Sequence, residues 1–542
     1  MFSIKRNLGK WLLLAAGVVV TFDLLNPWLK KYDYGAGYPL LALLVMIVGA
    51  LAIYNWRSEV RRAVWLEVLV VVGLALAAFA LGSSEFWGIG FSDYLAMSLA
   101  LVGYYFLATA KELPRIGHLV AVVGGVAAIL GFVFYFSFDE VRMFGPFFNK
   151  DSHAHTWPNA FALFLLMVWP FMLTLERRTV RFILLAVVSA ALVLTFSRGA
   201  LIAFGGQAVL MLILWRGKAA WKELIAVMVL VGVLIVGANE LRARNFAVES
   251  IEEKVEFAAD EGDQSKDDRL VFWRGAYDLA LEKPVLGHGP FSFRQAYAPH
   301  QEELLQSADH PHNFFLKLAA EYGVLFMLVW VVILLELLWR FWRGEKDMEA
   351  KVLFVAAAGG LAHNLIDYNL NFLANLALLV LCLGYLRAKF PLKGFGRGLA
   401  VKVLAILLGL LAFYDSSMQA VALIEPRAEK FLLYPRGETR SEELYQLGLA
   451  SEAIVLNPLN EFKYYVLDVQ QGGDFERAIP LLEEYFVKVK FNENFTAYSD
   501  NVEYAAMLID EIVARDASYD WLLDRKAEMW EDAEHARKFK QL

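Results

Sequence analysis

Apolar runs of spanning length recur along most of this chain, and they fix what it can fold into. A run of roughly 17 to 25 residues is long enough to cross the hydrocarbon core as a helix. Such runs lie near residues 11–28, 38–56, 63–82, 94–110, 116–138, 158–175, 180–197, 199–215, 222–238, 320–341, 351–366, 371–387 and 399–422. With 58% hydrophobic and 14% aromatic residues and a positive mean hydropathy, an ordinary soluble fold is excluded. The expected class is an all-α polytopic membrane protein with about 12–13 transmembrane helices. The first run is short and interrupted by Asp23. Lys5, Arg6 and Lys10 ahead of it give it the look of a signal peptide, but no convincing cleavage site follows, so it reads as an uncleaved first helix.

Basic residues set the expected orientation, because short cytoplasmic loops are rich in Lys and Arg. With the N-terminus inside, the inner loops hold Arg57, Arg61 and Arg62; Lys111 and Arg115; Arg177, Arg178 and Arg181; Arg216, Lys218 and Lys222; Arg340, Arg343, Lys346 and Lys351; and Arg387, Lys389, Lys393 and Arg397. Lys30 and Lys31 are the misfit. The outer face then carries Glu85, Asp93, the 139–157 segment, a tight turn at Ser197-Arg198-Gly199, the long 239–319 loop and the turn near Asp367. The domains expected are membrane helices over 1–238, an extracytoplasmic loop over 239–319, further membrane helices over 320–422 and an extracytoplasmic domain over 423–542.

That last region is dense in charge and has no run long enough to span. Gly473-Asp474-Phe475-Glu476-Arg477-Ala478 resembles the turn and second-helix start of a tetratricopeptide repeat. Asn457-Pro458 and Asn492-Glu493 recur 35 residues apart, close to that repeat's period of about 34. The region reads either as a docking surface for a partner or as a helical cap. The single Cys382 lies in an apolar run, so neither an intrachain disulfide nor a Cys-based metal site is available.

Five polar constellations fall on the outer face. The first runs from Arg142 through His153 and His155 to Pro158-Asn159, and the second is Arg198 at the mouth of a helix. The third is Arg269, Trp273 and Arg274 in the long loop, and the fourth is His310 and His312 in HPHNFFLKLAAEYG. The fifth is His363, Asn364 and Asp367 in AHNLIDYN. His312 and Asn313 sit where a polar loop enters an apolar segment, so His312 can titrate near neutral pH within reach of water. The plain alternative is a helix-start His that satisfies backbone groups. Asn313 either orients groups beside it or caps the helix.

An arginine at the bilayer centre costs about 2.5–3.5 kcal/mol on insertion scales. At the interface that cost falls, so Arg198 alone could be an anchor. Several arginines converging on one outer cavity suggest an anion instead, since guanidinium suits bidentate phosphate contacts. At a membrane surface the anion that also brings a lipid tail is a polyprenyl diphosphate. His153 with His155 and His310 with His312 are spaced as metal ligands can be, but no HExxH is present, and the same spacing is common among structural histidines. Asp267-Asp268 reads as a solvated loop charge. No metal, cofactor or nucleic-acid partner is expected.

A metal-free glycosyl transfer fits these groups. A sugar on a lipid diphosphate already has a good leaving group. Arginines would offset charge building on the diphosphate, at roughly 1.5–3 kcal/mol for each charged hydrogen bond. His312 is the candidate base for an acceptor hydroxyl, a role worth about 10²–10⁴-fold. A single displacement would invert the anomeric centre.

As a set these residues resemble the O-antigen ligase superfamily of O-antigen ligases, O-antigen polymerases and bacterial protein O-oligosaccharyltransferases. His312-Asn313, nine residues and Gly323 resemble its signature of His, then Asn, Ser or Gln, then nine residues and Gly. Ser197-Arg198-Gly199 is similar to its SRG turn. Arg269, Trp273, Pro284, Gly287, Gly289 and Phe293 are similar to its periplasmic-loop pattern, and Gly145, Phe147, Pro158 and Asn159 to its G-x-F…N-P-N stretch. Extra residues, His153 and His155 among them, interrupt that stretch. His363 and Asp367 resemble its late motif. The resemblance covers roughly residues 35–390. It implies a GT-C-type, metal-independent glycosyltransferase using an undecaprenyl diphosphate-linked glycan. It assigns the base to His312 and diphosphate contacts to Arg198 and to Arg269 or Arg274. The expected catalytic residues are therefore His312, Arg198 and Arg269, and Arg274, Arg142, Asn313, Asn159, His363 and Asp367 are expected to bind the diphosphate or the acceptor.

The acceptor is lipid A-core sugar for a ligase, the growing glycan for a polymerase, and a Ser, Thr or Tyr hydroxyl for a protein transferase. Ligase-type transfer is the first expectation, and the repeat-like tail favours the protein transferase as its alternative. A transporter of the same lipid-linked glycan would place ionisable groups near the midplane. The spans read as poor in charge apart from Glu67 and Asp23, while the arginines and histidines gather on one face. The expected location is the bacterial inner membrane, with the active site and C-terminal region extracytoplasmic.

Overall fold

Apolar runs longer than a strand needs become helices that satisfy their own backbone groups, as a span in lipid must. The computed structural model describes residues 38–61, 64–84, 87–148, 156–215, 218–246, 259–297, 310–390, 394–422, 462–483 and 499–528, with isolated residues between these segments. The expected first helix and its flanking charges lie outside the described residues, as do His153, His155, Asn457-Pro458 and Asn492-Glu493. From residue 38 onward helices occupy the apolar windows. They are α1 (Tyr38–Tyr54), α2 (Val64–Gly82), α3 (Trp87–Thr109), α4 (Gly117–Ser137), α5 (Pro158–Val168), α6 (Arg178–Leu194), α7 (Arg198–Trp215) and α8 (Lys218–Arg242). After α9 (Ala259–Glu282) come α10 (Phe314–Tyr322), α11 (Val324–Arg343), α12 (Met348–His363), α13 (Leu373–Ala388) and α14 (Leu399–Ala422).

Among the described residues, seven helices are long and apolar enough to cross a membrane: Val64–Gly82, Gly90–Thr109, Gly117–Ser137, Arg198–Trp215, Ile225–Arg242, Val324–Arg343 and Leu399–Ala422. Leu40–Tyr54, Pro158–Thr174 and Leu373–Ala388 are shorter apolar helices. The chain is thus an all-α, multi-pass membrane protein. A two-residue antiparallel pairing of β1 (Val60–Arg61) with β2 (Phe395–Gly396) ties two of the basic loops together.

Two readings of the windows need correction. The 320–341 window is two helices broken at Gly323 (φ 86°, ψ 159°), a conformation open to glycine. The spans also hold more charge than Glu67 and Asp23. Glu336, inside α11, pairs with Arg340 and with the buried Arg387, whose Nε lies 3.2 Å away. In α14, Lys402 Nζ donates to the carbonyls of Asn55 and Ser58, 2.7 Å from each.

A proline explains why α5 ends early. Pro170 has no N–H, so the Leu166 carbonyl four residues back loses its helical donor, and the chain continues as a 3₁₀ turn over Trp169–Thr174. Gln207 of α7 supplies what is missing. Its Nε2 donates to Leu166 O (3.0 Å) and to Val355 O of α12 (2.8 Å), and its Oε1 accepts from Trp169 Nε1 (2.8 Å). One glutamine therefore pins three elements in a region where an unpaired carbonyl is costly.

The chain divides into two compact units. The first, within residues 1–293 and 310–413, holds the membrane helices up to residue 413 and α9. In it α13 lies along α3, and α12 packs on α5, α7 and α13. The second, within 294–309 and 414–542, contains α15 (Phe462–Gln470) and α16 (Ser499–Arg515). Its core joins Tyr464, Tyr465, Val469, Leu508, Ile509 and Leu522. The GDFERA stretch is a turn whose Asp474 side chain accepts from Glu476 N (3.0 Å), followed by a 3₁₀ turn over Phe475–Ala478.

Candidate active site

The start of α10 is built by its own sequence. Asn313 is the N-cap: its Oδ1 accepts from Phe315 N and Leu316 N, each at 3.0 Å, as capping requires. Its Nδ2 donates to Leu365 O (2.9 Å), and Phe314 N donates to Asn364 O (2.9 Å). Of the two readings of Asn313, capping is the one observed, and it also ties α10 to the turn after α12. His312 immediately precedes the cap with φ +50°. The other non-glycine residues at positive φ among the described residues are Phe196 and Phe291. Phe196 adjoins Ser197, and Phe291 packs its ring on His310 at 5.2 Å. Backbone strain therefore collects around this one place.

His312 faces Asp367. Its Nδ1 lies 3.6 Å from Asp367 Oδ1, and the two side chains are 26% and 4% exposed respectively. Asp367 Oδ2 lies 3.9 Å from His363 Nε2, and the Tyr368 amide donates to Oδ1 at 2.9 Å. Burial pushes the Asp367 carboxyl up, but the facing His312, the charge of His363 and the Tyr368 amide outweigh it. The carboxyl is held below the usual range and stays ionised. The His312 ring stacks near Phe272 (6.1 Å) and meets Tyr368 edge-on (4.8 Å). An ionised carboxylate behind Nδ1 favours the tautomer that leaves Nε2 as an acceptor. His310 is buried, and its Nε2 accepts from Asn371 Nδ2 at 2.8 Å. Burial and the charges of Lys317 and His312 push it well below the ordinary His range, so it is neutral.

The arginines divide. Arg269 and Trp273 lie four residues apart on α9, on the same face, and Trp273 Nε1 donates to the His312 carbonyl (3.4 Å). Arg269 is half-buried and close enough for its charge to act on His363. Arg274 sits about 140° further round the helix than Arg269, is exposed, and makes no hydrogen bond or ion pair among the described residues. Arg198 is exposed at the first turn of α7, and the adjacent Ser197 Oγ lies 3.5 Å from His363 Nε2. Arg142 is occupied: Nε donates to Thr195 O (2.9 Å) and Nη2 to Asn159 Oδ1 (2.6 Å). That pair fastens the 142–148 segment and α5 to the turn that presents Arg198. His312, Asp367, His363, Ser197 and Arg269 are thus brought together. Arg142 and Asn159 brace them, and Arg274 points away. Among the described residues no group of three or more His, Cys, Asp or Glu side chains is placed to hold a metal ion.

Sequence reasoning passed over a buried charge cluster one turn behind His312. Lys317 Nζ lies 2.8 and 2.9 Å from the carboxylate oxygens of Asp93 and 3.2 Å from Glu321 Oε2. Tyr322 donates to Asp93 at 2.7 Å. Glu321 accepts from Phe291 N (3.0 Å) and Phe293 N (3.4 Å), while His288 N and Gly289 N donate to the carbonyls of Ala320 and Glu321. The Pro284–Phe293 stretch and the α10–α11 break are thus one unit. A Cβ on Gly323 would stand 2.2 Å from Val285 O, and one on Gly287 2.4 Å from Glu321 O. The amphipathic spacing of Lys317 and Glu321 in an otherwise apolar helix was the available signal.

Residues 182–331, from α6 through the site to the start of α11, match the family model described as O-antigen ligase. No curated protein matches the chain. A match of this kind goes with a glycosyltransferase-type activity of the O-antigen ligase or polymerase class. The matched segment contains Arg198, Arg269, His312 and Gly323, and with it the resemblance to the O-antigen ligase superfamily read from those motifs is borne out.

Proposed function

We propose that the protein transfers a glycan from undecaprenyl diphosphate to an acceptor hydroxyl at the extracytoplasmic face, in one inverting displacement of the O-antigen ligase type and without metal. The observation that carries this reading is the half-open His312 backed by a buried, ionised Asp367. His312 Nε2 takes the acceptor proton as the new C1–O bond forms. The bond from C1 to the diphosphate oxygen breaks with its electrons, and the lipid diphosphate leaves as an anion. Arg269 and Arg198 offset that charge, the more so in a site of low dielectric. Asp367 holds the imidazole and stabilises it once protonated, as a carboxylate behind a catalytic His does elsewhere. The donor in this reading is a lipid-linked glycan and the acceptor lipid A-core, with a GT-C-type membrane domain, a cytoplasmic N-terminus and the site outside the inner membrane.

A second reading, protein O-glycosylation, is favoured by one observation: α15 and α16 belong to a separate unit with a core of its own. That unit would recognise a protein acceptor. The test is a reconstituted transfer assay with chelator present. It offers lipid-linked glycan together with lipid A-core, free glycan or an extracytoplasmic protein extract. Glycan on lipid A-core that vanishes with His312→Ala supports the ligase reading, and glycan on protein supports the second. Near-normal transfer by a well-expressed His312→Ala protein would sink both, and movement of lipid-linked glycan across vesicles without transfer would make the protein a transporter.

A further inference from the structure

A pocket of about 170 Å³ lies away from the site, where the α3–α4 loop, the β1 strand and the end of α13 meet. Arg61, Lys111, Arg115 and Lys389 line it, with Glu349 and Tyr385. Four cations from three separate chain segments converge on one small cavity. Arg61 is held in place by the backbone, donating to Lys111 O (3.1 Å) and Ala388 O (3.5 Å). Arg115 is exposed and makes no hydrogen bond or ion pair among the described residues. The Tyr385 hydroxyl is buried and finds no hydrogen-bond partner among them.

Carboxylates are also close. Lys111 pairs with Glu59 at 3.3 Å, and Lys389 with Asp347 at 2.9 Å and Glu349 at 2.5 Å. Glu59 and Asp347 are 60% and 58% exposed, and ion pairs so open to water contribute little. The Glu59 and Asp347 pairs are exchangeable for a ligand that offers several oxygens at once, whereas Glu349, 23% exposed, stays with Lys389. The cavity is smaller than the roughly 300–1,000 Å³ usual for drug-sized ligands, which suits a headgroup and not a glycan chain. Basic pockets between membrane helices at the lipid surface are of the kind that take phosphate headgroups.

We propose that this pocket binds a phosphate-bearing anion, held by Arg61 and Arg115 with Lys111 and Lys389 closing on it. The proposal does not depend on the transfer reaction. The full-length protein is purified in detergent, and its melting temperature is followed with phosphatidylglycerol, with phosphatidylcholine, with glycerol 3-phosphate and with inorganic phosphate. Arg115→Gln, which removes no hydrogen bond or ion pair among the described residues, is the main variant. Arg61→Gln is the second, and Arg343→Gln, a basic residue outside the pocket, is the control.

Phosphatidylglycerol is expected to raise the melting temperature above the value in phosphatidylcholine. Arg115→Gln is expected to lose at least about half of that rise, and Arg343→Gln none. A rise with phosphatidylglycerol alone assigns a lipid headgroup, and a rise with the soluble phosphates as well assigns the phosphate group itself. No rise with any phosphate, or a rise that Arg115→Gln leaves whole or Arg343→Gln diminishes equally, overturns the proposal.

Discussion

His312 Nδ1 lies 3.6 Å from Asp367 Oδ1, and this contact joins the helix start that bears the candidate base to the turn that ends α12. Asp367→Asn keeps the shape and removes the charge. An amide no longer favours the tautomer with Nε2 free, nor does it stabilise the imidazolium. Transfer should fall by about 10²–10⁴-fold, with the loss in kcat and little change in KM for the lipid-linked donor. A variant that melts like the wild type and keeps wild-type kcat would remove Asp367 from the mechanism.

Arg198 opens α7 with its side chain in solvent, while Arg142 and Asn159 brace the turn beneath it. Such bracing fixes the backbone from which the guanidinium extends. Arg198→Lys retains the charge but not the planar fork, and should lose at least about tenfold in kcat/KM for a diphosphate-linked donor. Arg274→Lys, altered on the exposed side of α9, should lose far less. Equal behaviour of the two in the same assay would reduce Arg198 to an interface anchor.

What could be read in advance followed from local pattern. Spanning length and hydropathy placed the helices from residue 38 on, and the Asn313 cap and the Ser197-Arg198-Gly199 turn are dictated within a few residues. The break at Gly323 was hidden because α10 and α11 are both apolar enough to merge into one window. It exists because Pro284–Phe293, distant in sequence, donates backbone N–H groups to Ala320 and Glu321. Glu336 and Lys402 were missed for a related reason. Each is compensated by a partner far along the chain, Arg387 or the carbonyls ending α1, and hydropathy windows carry no record of partners. That Arg269 lies near His363 while Arg274 is exposed likewise depends on the helix phase of α9, set by packing against α10.

His310 gives the site a calculable pH response. Burial, with Lys317 and His312 nearby, lowers its folded-state pKa well below the ordinary value of about 6.5. Between the lowered value and about 6.5 the unfolded chain binds a proton that the folded chain refuses. Stability therefore falls as pH drops through that window and is fully present above it. The melting temperature should decline from pH 7 to pH 5. His310→Gln, which keeps an acceptor toward Asn371 but cannot titrate, should show a shallower decline. Parallel curves for the two proteins would mean that His310 does not carry the effect.

Lys317 tests whether the cluster behind His312 holds the site in place. It is 2% exposed and lies between Asp93 and Glu321, at 10% and 0%, so Lys317→Met strands two buried carboxylates. Removing one partner of a buried pair costs about 3–5 kcal/mol, a loss that a melt in detergent would register. Lys317 N also donates to Asn313 O at 2.9 Å, one helical turn from His312, so the damage should reach transfer activity as well. Adding Asp93→Asn to Lys317→Met removes one stranded charge and should recover part of both losses. A double variant no better than the single one would show that charge compensation by Lys317 is not what keeps α10 and His312 in register.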